Sequence, residues 1–367
     1  MKKRTTKKLL SALLCMVFIL QSLVISGIVV SAEAVGATTN TMEFVDSFDY
    51  ADSGDFTQDG YWALESTRFQ GTAPTFDDGV MKLQPNNGVA FNWPTVIGGV
   101  NNYASTDTYT FDFDFKITDG TWDNEDGDGL VRILFVAPGG WYNQIEFRNG
   151  NWDVRAGDTY APYDTETFPS LLNTPFHAKL VWTGKTITTT ITNAEDDTVI
   201  ATGSRTSNDY ANPSGKADMR SLVLRCENGA VEIDNFKFTA PTASTTPKAV
   251  VEGFQTADNG TTADARFVAT LTGNYEELEA IGFEFTYNGK TVTTNCRYLY
   301  TVLNAGEGTI TADEGDYFFC YTLRNMEAGT YTITARAWTQ AAGSQIRIYS
   351  GTQSITFTVN ADGTVTM

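Results

Sequence analysis

From Tyr109 the chain alternates apolar and polar residues one by one: Tyr109, Phe111, Phe113, Phe115 and Ile117 against Thr110, Asp112, Asp114 and Lys116. A period of two sends the two sets to opposite faces of an extended segment, so the pattern predicts a half-buried β-strand. Val131, Ile133 and Phe135 interleave with Arg132 and Leu134 in the same way. Two further runs, 141–148 and 151–156, flank Asn149-Gly150, a pair that tolerates the positive φ angles of a two-residue hairpin turn. In that hairpin Ile145, Phe147, Trp152 and Val154 are expected to face the core. More strands are predicted at 176–182, 185–192, 198–205, 219–226 and 230–238.

Alternation stops at Ala240-Pro-Thr-Ala-Ser-Thr-Thr-Pro247 and resumes afterwards. A run of Pro, Thr, Ser and Ala cannot continue a ladder, and 241–247 reads as a linker. The following block predicts strands at 263–270, 280–287, 290–303, 317–323, 329–339 and 353–359. Helical periodicity never exceeds two or three turns, the best being Glu276 to Ala280. The chain is therefore expected to be all-β, with a larger antiparallel sandwich at 41–240 and a smaller one at 248–360.

Composition narrows the function. There are 44 acidic and 25 basic side chains, a net charge of −19. That balance repels phosphate backbones and anionic lipid, and basic residues cluster only in the first eight positions, so nucleic acid is not an expected partner. A single histidine excludes HExxH zinc sites and mechanisms that need two imidazoles. Residues 1–8 are basic, 9–30 are largely apolar, and Ala32-Glu33-Ala34 offers small residues for cleavage, so 1–34 is read as a secretory signal peptide. Its removal leaves 20 basic and 43 acidic side chains, a balance of −23, and no membrane insertion is expected thereafter.

The segments FVDSFDY, TYTFDFDFKI, FHAKLVWTGKTITTTIT and ENGAVEIDNFKFT give 41–240 a strand rhythm that resembles the concanavalin A-like lectin/glucanase jelly roll, including laminin-G-like and carbohydrate-binding modules. The block 248–360 resembles an immunoglobulin-like or fibronectin-type domain of the kind appended to secreted bacterial polysaccharide-active proteins. The first resemblance implies carbohydrate as the partner, and in glucanases of this fold a Glu-x-Asp-x-x-Glu strand that places three carboxylates on one face. Glu232 and Asp234 begin such a strand, but Lys237 stands where the second glutamate belongs. A non-catalytic binding protein outside a bacterial cell is the preferred reading. The alternatives are a glycoside hydrolase or polysaccharide lyase on the same fold, and a structural or adhesive surface protein.

Sugar binding needs aromatic platforms beside planar polar groups. The hairpin supplies Trp141 and Tyr142 with Gln144, Glu146, Arg148, Asp153 and Arg155 on its polar face, and Arg132 stands on the preceding strand. Trp62, Trp93 and Trp122 lie near expected loops and are a second candidate edge. Calcium has two candidate places. One is the oxygen-rich loop holding Asp123, Asp126 and Asp128. The other, implied by the resemblance, is Asp234 with Asp46 or Glu43, where first and last strands meet. His177, at the start of a strand with no nucleophile elbow in the chain, is assigned a packing or surface role. If 290–303 and 317–323 pair as a hairpin centred on Gly308, Cys296 stands opposite Cys320 at a separation a disulfide spans. Two buried free thiols are the alternative, and Cys226 remains free in either case.

Overall fold

The computed structural model describes residues 40–65, 73–119, 131–137, 140–148, 153–162, 172–213, 221–226, 229–244, 247–256, 260–271, 278–301 and 317–367. The expected signal peptide lies outside them. Among the described residues no helix is long and apolar enough to cross a membrane. The chain divides into two compact units, Met42–Pro241 and Thr242–Met367 with the residues up to Thr41.

The first unit is built from β1 (Thr41–Asp46), β2 (Trp62–Leu64), β3 (Thr75–Asp77), β4 (Val80–Leu83), β5 (Asn87–Phe91), β6 (Thr108–Asp119), β7 (Val131–Ala137), β8 (Gly140–Arg148), β9 (Asp153–Ala156), β10 (Thr159–Pro162), β11 (Pro175–Thr183), β12 (Thr186–Asn193), β13 (Val199–Thr206), β14 (Leu222–Cys226) and β15 (Ala230–Pro241). One sheet runs β13-β12-β11-β6-β15, with β1 and β4 beyond β15 and β3 on β4. The other runs β10-β9-β8-β7-β14-β5-β2. The pairings that define both sheets are antiparallel. A short helix, α1 (Ser53–Gln58), starts where the Asp52 carboxylate accepts from the amides of Gly54 and Asp55, and it buries Phe56.

Alternation explains the core. Phe111, Phe113, Phe115 and Ile117 of β6 are buried, and so are Ile145 and Phe147 of β8. Phe147 meets Phe115 at 5.6 Å and Phe176 at 5.3 Å between ring centroids, joining the two sheets. At the other end Phe91 meets Phe236 at 4.6 Å and Phe44 at 5.1 Å. Burying such a side chain contributes roughly 1.5–3 kcal/mol. Trp62 and Trp93, expected at a loop edge, belong to this core, at 2% and 0% exposure. Trp122 lies outside the described residues.

Two glycines close the edge of the sandwich beside β13. A Cβ on Gly203 would stand 2.1 Å from the Ala156 carbonyl, and one on Gly157, whose φ is +60°, would stand 2.8 Å from the Ser204 backbone. The turn between β9 and β10 therefore lies against β13, where the Asp158 amide donates to the Ser204 carbonyl at 3.1 Å.

The second unit comprises β16 (Lys248–Thr256), β17 (Ala263–Leu271), β18 (Leu278–Tyr287), β19 (Lys290–Asn295), β20 (Tyr300–Thr301), β21 (Tyr317–Met326), β22 (Gly329–Ala341), β23 (Ile346–Tyr349), β24 (Gln353–Val359) and β25 (Val365–Thr366). One sheet is β16-β17-β21-β20, and the other contains β19-β18-β22, with β23 and β24 on β22 and β25 on β24. Phe267 against Phe285 at 4.8 Å and Phe319 against Phe283 at 5.3 Å pack the sheets together. The molecule is all-β.

The expected strand 290–303 is broken. Asn295 ends the pairing with β18, and β20 pairs β21 with Tyr300 opposite Phe318, two residues out of step with the register that opposes Cys296 to Cys320. Instead the Cys296 thiol donates to the backbone carbonyl of Cys320 at 3.3 Å, while Arg266 Nη2 approaches the Cys320 sulfur at 3.7 Å. Cys226, Cys296 and Cys320 are all free thiols. Burial pushes the Cys296 thiol up to about 12.

Candidate functional site

The pairing of β7 with β8 carries a bulge. Ile133 stands opposite Ile145, but Leu134 stands opposite Asn143, so Gln144 is the extra residue. A one-residue insertion reverses the facing of whatever precedes it. Gln144 is accordingly buried, its Nε2 donating to the Tyr210 hydroxyl at 2.8 Å and its Oε1 accepting from Thr189 at 3.4 Å. The sequence placed Gln144 on the polar face; the bulge turns it inward to the opposite sheet.

Beyond the bulge the expected phase holds. Glu146 and Arg155 face away from buried Ile145, Phe147, Val154 and Ala156, and they stand opposite each other. The row continues in register, with Arg132 opposite Glu146, Arg225 opposite Arg132 and Gly88 opposite Arg225. It crosses five strands, roughly 19 Å at about 4.8 Å per strand. Glu65 completes it, its amide donating to the Gly88 carbonyl at 2.9 Å. A Cβ on Gly88 would stand 2.6 Å from Glu65 Oε2, so the missing side chain is what seats Glu65 there.

Planar charges fill this row. Arg225 grips Glu65 with both arms of its fork, Nε to Oε2 at 3.1 Å and Nη2 to Oε1 at 2.7 Å. Arg155 donates through Nε to the Gly157 carbonyl at 2.6 Å, through Nη1 to Glu146 at 3.3 Å and through Nη2 to Asp158 at 3.5 Å. Arg205 reaches the same Asp158 oxygen at 3.1 Å. The side chains of Glu65, Arg225 and Glu146 are 9%, 2% and 0% exposed, Arg155 is 12% and Asp158 is 55%. Solvent thus meets the row at its Arg155–Asp158 end. Arg148 pairs in register with Asp153 on the neighbouring row. The backbone of Trp141, Tyr142, Arg148, Asp153 and Arg132 is placed in these strands, and their side chains lie outside the described residues.

Glu65 and Arg225 escaped the sequence reading. Their signal was an arginine inside the otherwise apolar strand Leu222–Cys226, where a buried partner is obligatory.

The outer face of the other sheet holds a different cluster. His177 of β11 lies opposite Asp114 of β6, its Nδ1 2.8 Å from Asp114 Oδ1 and its Nε2 3.1 Å from Asp112 Oδ1. Asn235, at φ 51°, donates from Nδ2 to Asp114 Oδ2 at 2.8 Å and from its amide to Asp234 Oδ1 at 2.6 Å. The His177 bond, followed by that from Asn235, holds the Asp114 carboxyl below its usual range against partial burial.

Among the described residues the candidate calcium ligands Asp46, Glu43 and Asp234 form no metal-holding group. Asp46 is buried among donors: Oδ1 accepts from the Phe48 amide at 2.8 Å, and Oδ2 from the Tyr50 hydroxyl at 2.8 Å and Trp62 Nε1 at 2.7 Å. Burial raises its pKa in spite of those bonds. A ring of N–H and O–H groups offers a cation nothing, so Asp46 is a packing hub and does not fit calcium. Glu43 lies 3.9 Å from Lys237. Asp123, Asp126 and Asp128 lie outside the described residues. Among the described residues no group of three or more His, Cys, Asp and Glu is arranged to hold a metal ion.

No protein-family model matches the chain, and no curated protein matches it. Among solved structures it is similar to the CBM2 module of Lactobacillus casei BL23 phage J-1 evolved Dit, with 9% identity and a TM-score of 0.35, covering 56% of this chain and 99% of that one. Peanut lectin gives 12% identity and a TM-score of 0.35 over 56% of this chain and 99% of its own. Lectin I from Ulex europaeus gives 10% and 0.35 over 55% and 98%.

Proposed function

We propose that the chain is a secreted, non-catalytic carbohydrate-binding protein, and that the ligand lies on the outer face of the seven-stranded sheet at the solvent-facing end of the charged row. The observation that carries this reading is the solvent-facing end of that row: Arg155, held by the Gly157 carbonyl, Glu146 and Asp158, sets a planar guanidinium beside the exposed Asp158, with Glu146, Arg225 and Glu65 buried behind it. Paired hydroxyls of a sugar are met in pairs by such groups, and their mutual ion pairs fix the orientation before a ligand arrives. The bulge that turns Gln144 inward also takes Tyr142 off this face and puts the Trp141 backbone position in phase with Glu146, so Trp141 is the aromatic component of the reading. The glucanase arrangement has no counterpart on β15, where Glu232 bonds Lys116 at 2.6 Å and the third position is Lys237. We assign the second unit a spacer role, as an immunoglobulin-like sandwich.

Screening the full chain on a glycan array tests this. The expected result is retention of an oligosaccharide without product release, weakened by about 1–3 kcal/mol in Trp141→Ala or Arg148→Ala, the range for losing an aromatic anchor or charge-assisted partner. Binding of no glycan overturns the reading in favour of a structural surface protein. Release of shortened products replaces it with the hydrolase or lyase.

A further inference from the structure

We infer that His177 is a standing imidazolium clasp between β6 and β11, protonated on both nitrogens through the whole range in which histidines ordinarily titrate, and that the clasp opens only in alkali. The geometry requires it. Nδ1 faces Asp114 Oδ1 at 2.8 Å and Nε2 faces Asp112 Oδ1 at 3.1 Å. An ionised carboxylate has only acceptors, and a neutral imidazole has one N–H and one lone pair. One of the two contacts would then set lone pair against lone pair, whereas the imidazolium donates to both.

The neighbouring strands set the following groups around it. Across β11 the neighbouring strand β12 offers the hydroxyl of Thr192 opposite His177 and that of Thr190 opposite Lys179. On β11 itself Lys179 lies opposite Asp112. On the far side of β6, β15 places Asp234 opposite Asp114, Lys237 opposite Asp112 and Glu232 opposite Lys116. Lys179 and Lys237 stand in register on either side of Asp112, and Asn235 donates through Nδ2 to Asp114. The hydrogen bonds that His177 donates to Asp112 and then Asp114 raise it from its ordinary 6.5 to about 9, outweighing a partial desolvation that pulls it down.

The direction of the effect on stability follows. A histidine whose folded pKa is raised stabilises fully below its unfolded value near 6.5, and the contribution disappears as pH rises through about 9. This is the only histidine in the chain. No imidazole therefore titrates in its usual window, and the sandwich carries no histidine switch between pH 5 and 8.

Because the histidine is single, ¹⁵N-histidine labelling of the full chain gives one unambiguous pair of ring resonances. Titration from pH 5 to 10.5 is expected to show both nitrogens protonated at pH 7.5 and a midpoint near 9, with Asp112→Asn moving the midpoint back toward 6.5. A midpoint at or below 6.5, or a single protonated nitrogen at pH 7.5, overturns the inference. Melting supplies the second readout: the unaltered chain should exceed His177→Gln at pH 6–8 and lose that advantage by pH 10, whereas a constant difference contradicts the clasp.

Discussion

The two outer faces of the first unit are written in the same alternating code and end as different surfaces. On the β11-β6-β15 face the basic groups are lysines and the single histidine, and Lys116 reaches Glu232 with 38% and 25% of the two side chains exposed. Hydroxyl pairs continue this surface across β12 and β13, Thr186 with Thr206 at 3.1 Å, Thr188 with Ser204 at 2.9 Å and Thr190 with Thr202 at 3.3 Å. On the β8-β7-β14 face the basic groups are arginines, and Glu146 and Arg225 are withdrawn from solvent. The chemistry of the two cations accounts for the difference. An ammonium is a strongly hydrated point charge that stays at the surface, while a guanidinium is a weakly hydrated plane that matches a carboxylate edge to edge. A polar position in a strand specifies a side, and the residue type decides whether that side stays wet.

The contrast can be broken most forcefully at Arg225. Removing it strands the nearly buried Glu65, and Arg225→Ala is expected to cost about 3–5 kcal/mol in urea unfolding. Lys116→Ala on the other face should stay within about 1 kcal/mol. Equal losses would erase the distinction between the faces. A middle-sized effect belongs to the bulge. Gln144→Ala forfeits the bonds to Tyr210 and Thr189 and should cost about 1–3 kcal/mol of stability while leaving glycan affinity unchanged, read by unfolding and by titration of the same sample. Lost affinity with intact stability would return Gln144 to the binding face. The smallest effect is one of salt: coupling between Lys116 and Glu232 in a double-mutant cycle should fade toward zero at 1 M salt, where the Debye length is about 3 Å, while that between Arg225 and Glu65 persists.

The same contrast marks where sequence reading succeeds. Phe111 to Ile117 and the alternation of 145–148 against 153–156 were legible because half-burial imposes period two. The two-residue turn expected at Asn149-Gly150 gives way to a longer connection, with Arg148 opposite Asp153, and Trp152 lies outside the described residues. Gln144 was not, because a bulge inserts one residue without leaving a compositional mark. Trp62 and Trp93 carry polar handles that suit an edge, yet Trp62 Nε1 finds Asp46 inside the core. The acidic residue near the first strand was noticed, and its role was misread because the donors around it come from positions up to 16 residues away. His177 and its two aspartates were each seen separately. Only the pairing of strands 63 residues apart puts them together. The β20–β21 register was misjudged because nothing in the 290–303 segment announces the break after Asn295.

Binding on the arginine face is the central claim, and affinity for the best array ligand tests it most directly when Arg155→Lys is compared with Lys179→Ala. The lysine at 155 keeps the charge and loses the planar fork, and Lys179 stands on the opposite outer face. The account predicts a loss of roughly ten- to a hundredfold for Arg155→Lys and no change for Lys179→Ala. Full affinity in Arg155→Lys, or a loss confined to Lys179→Ala, would contradict it.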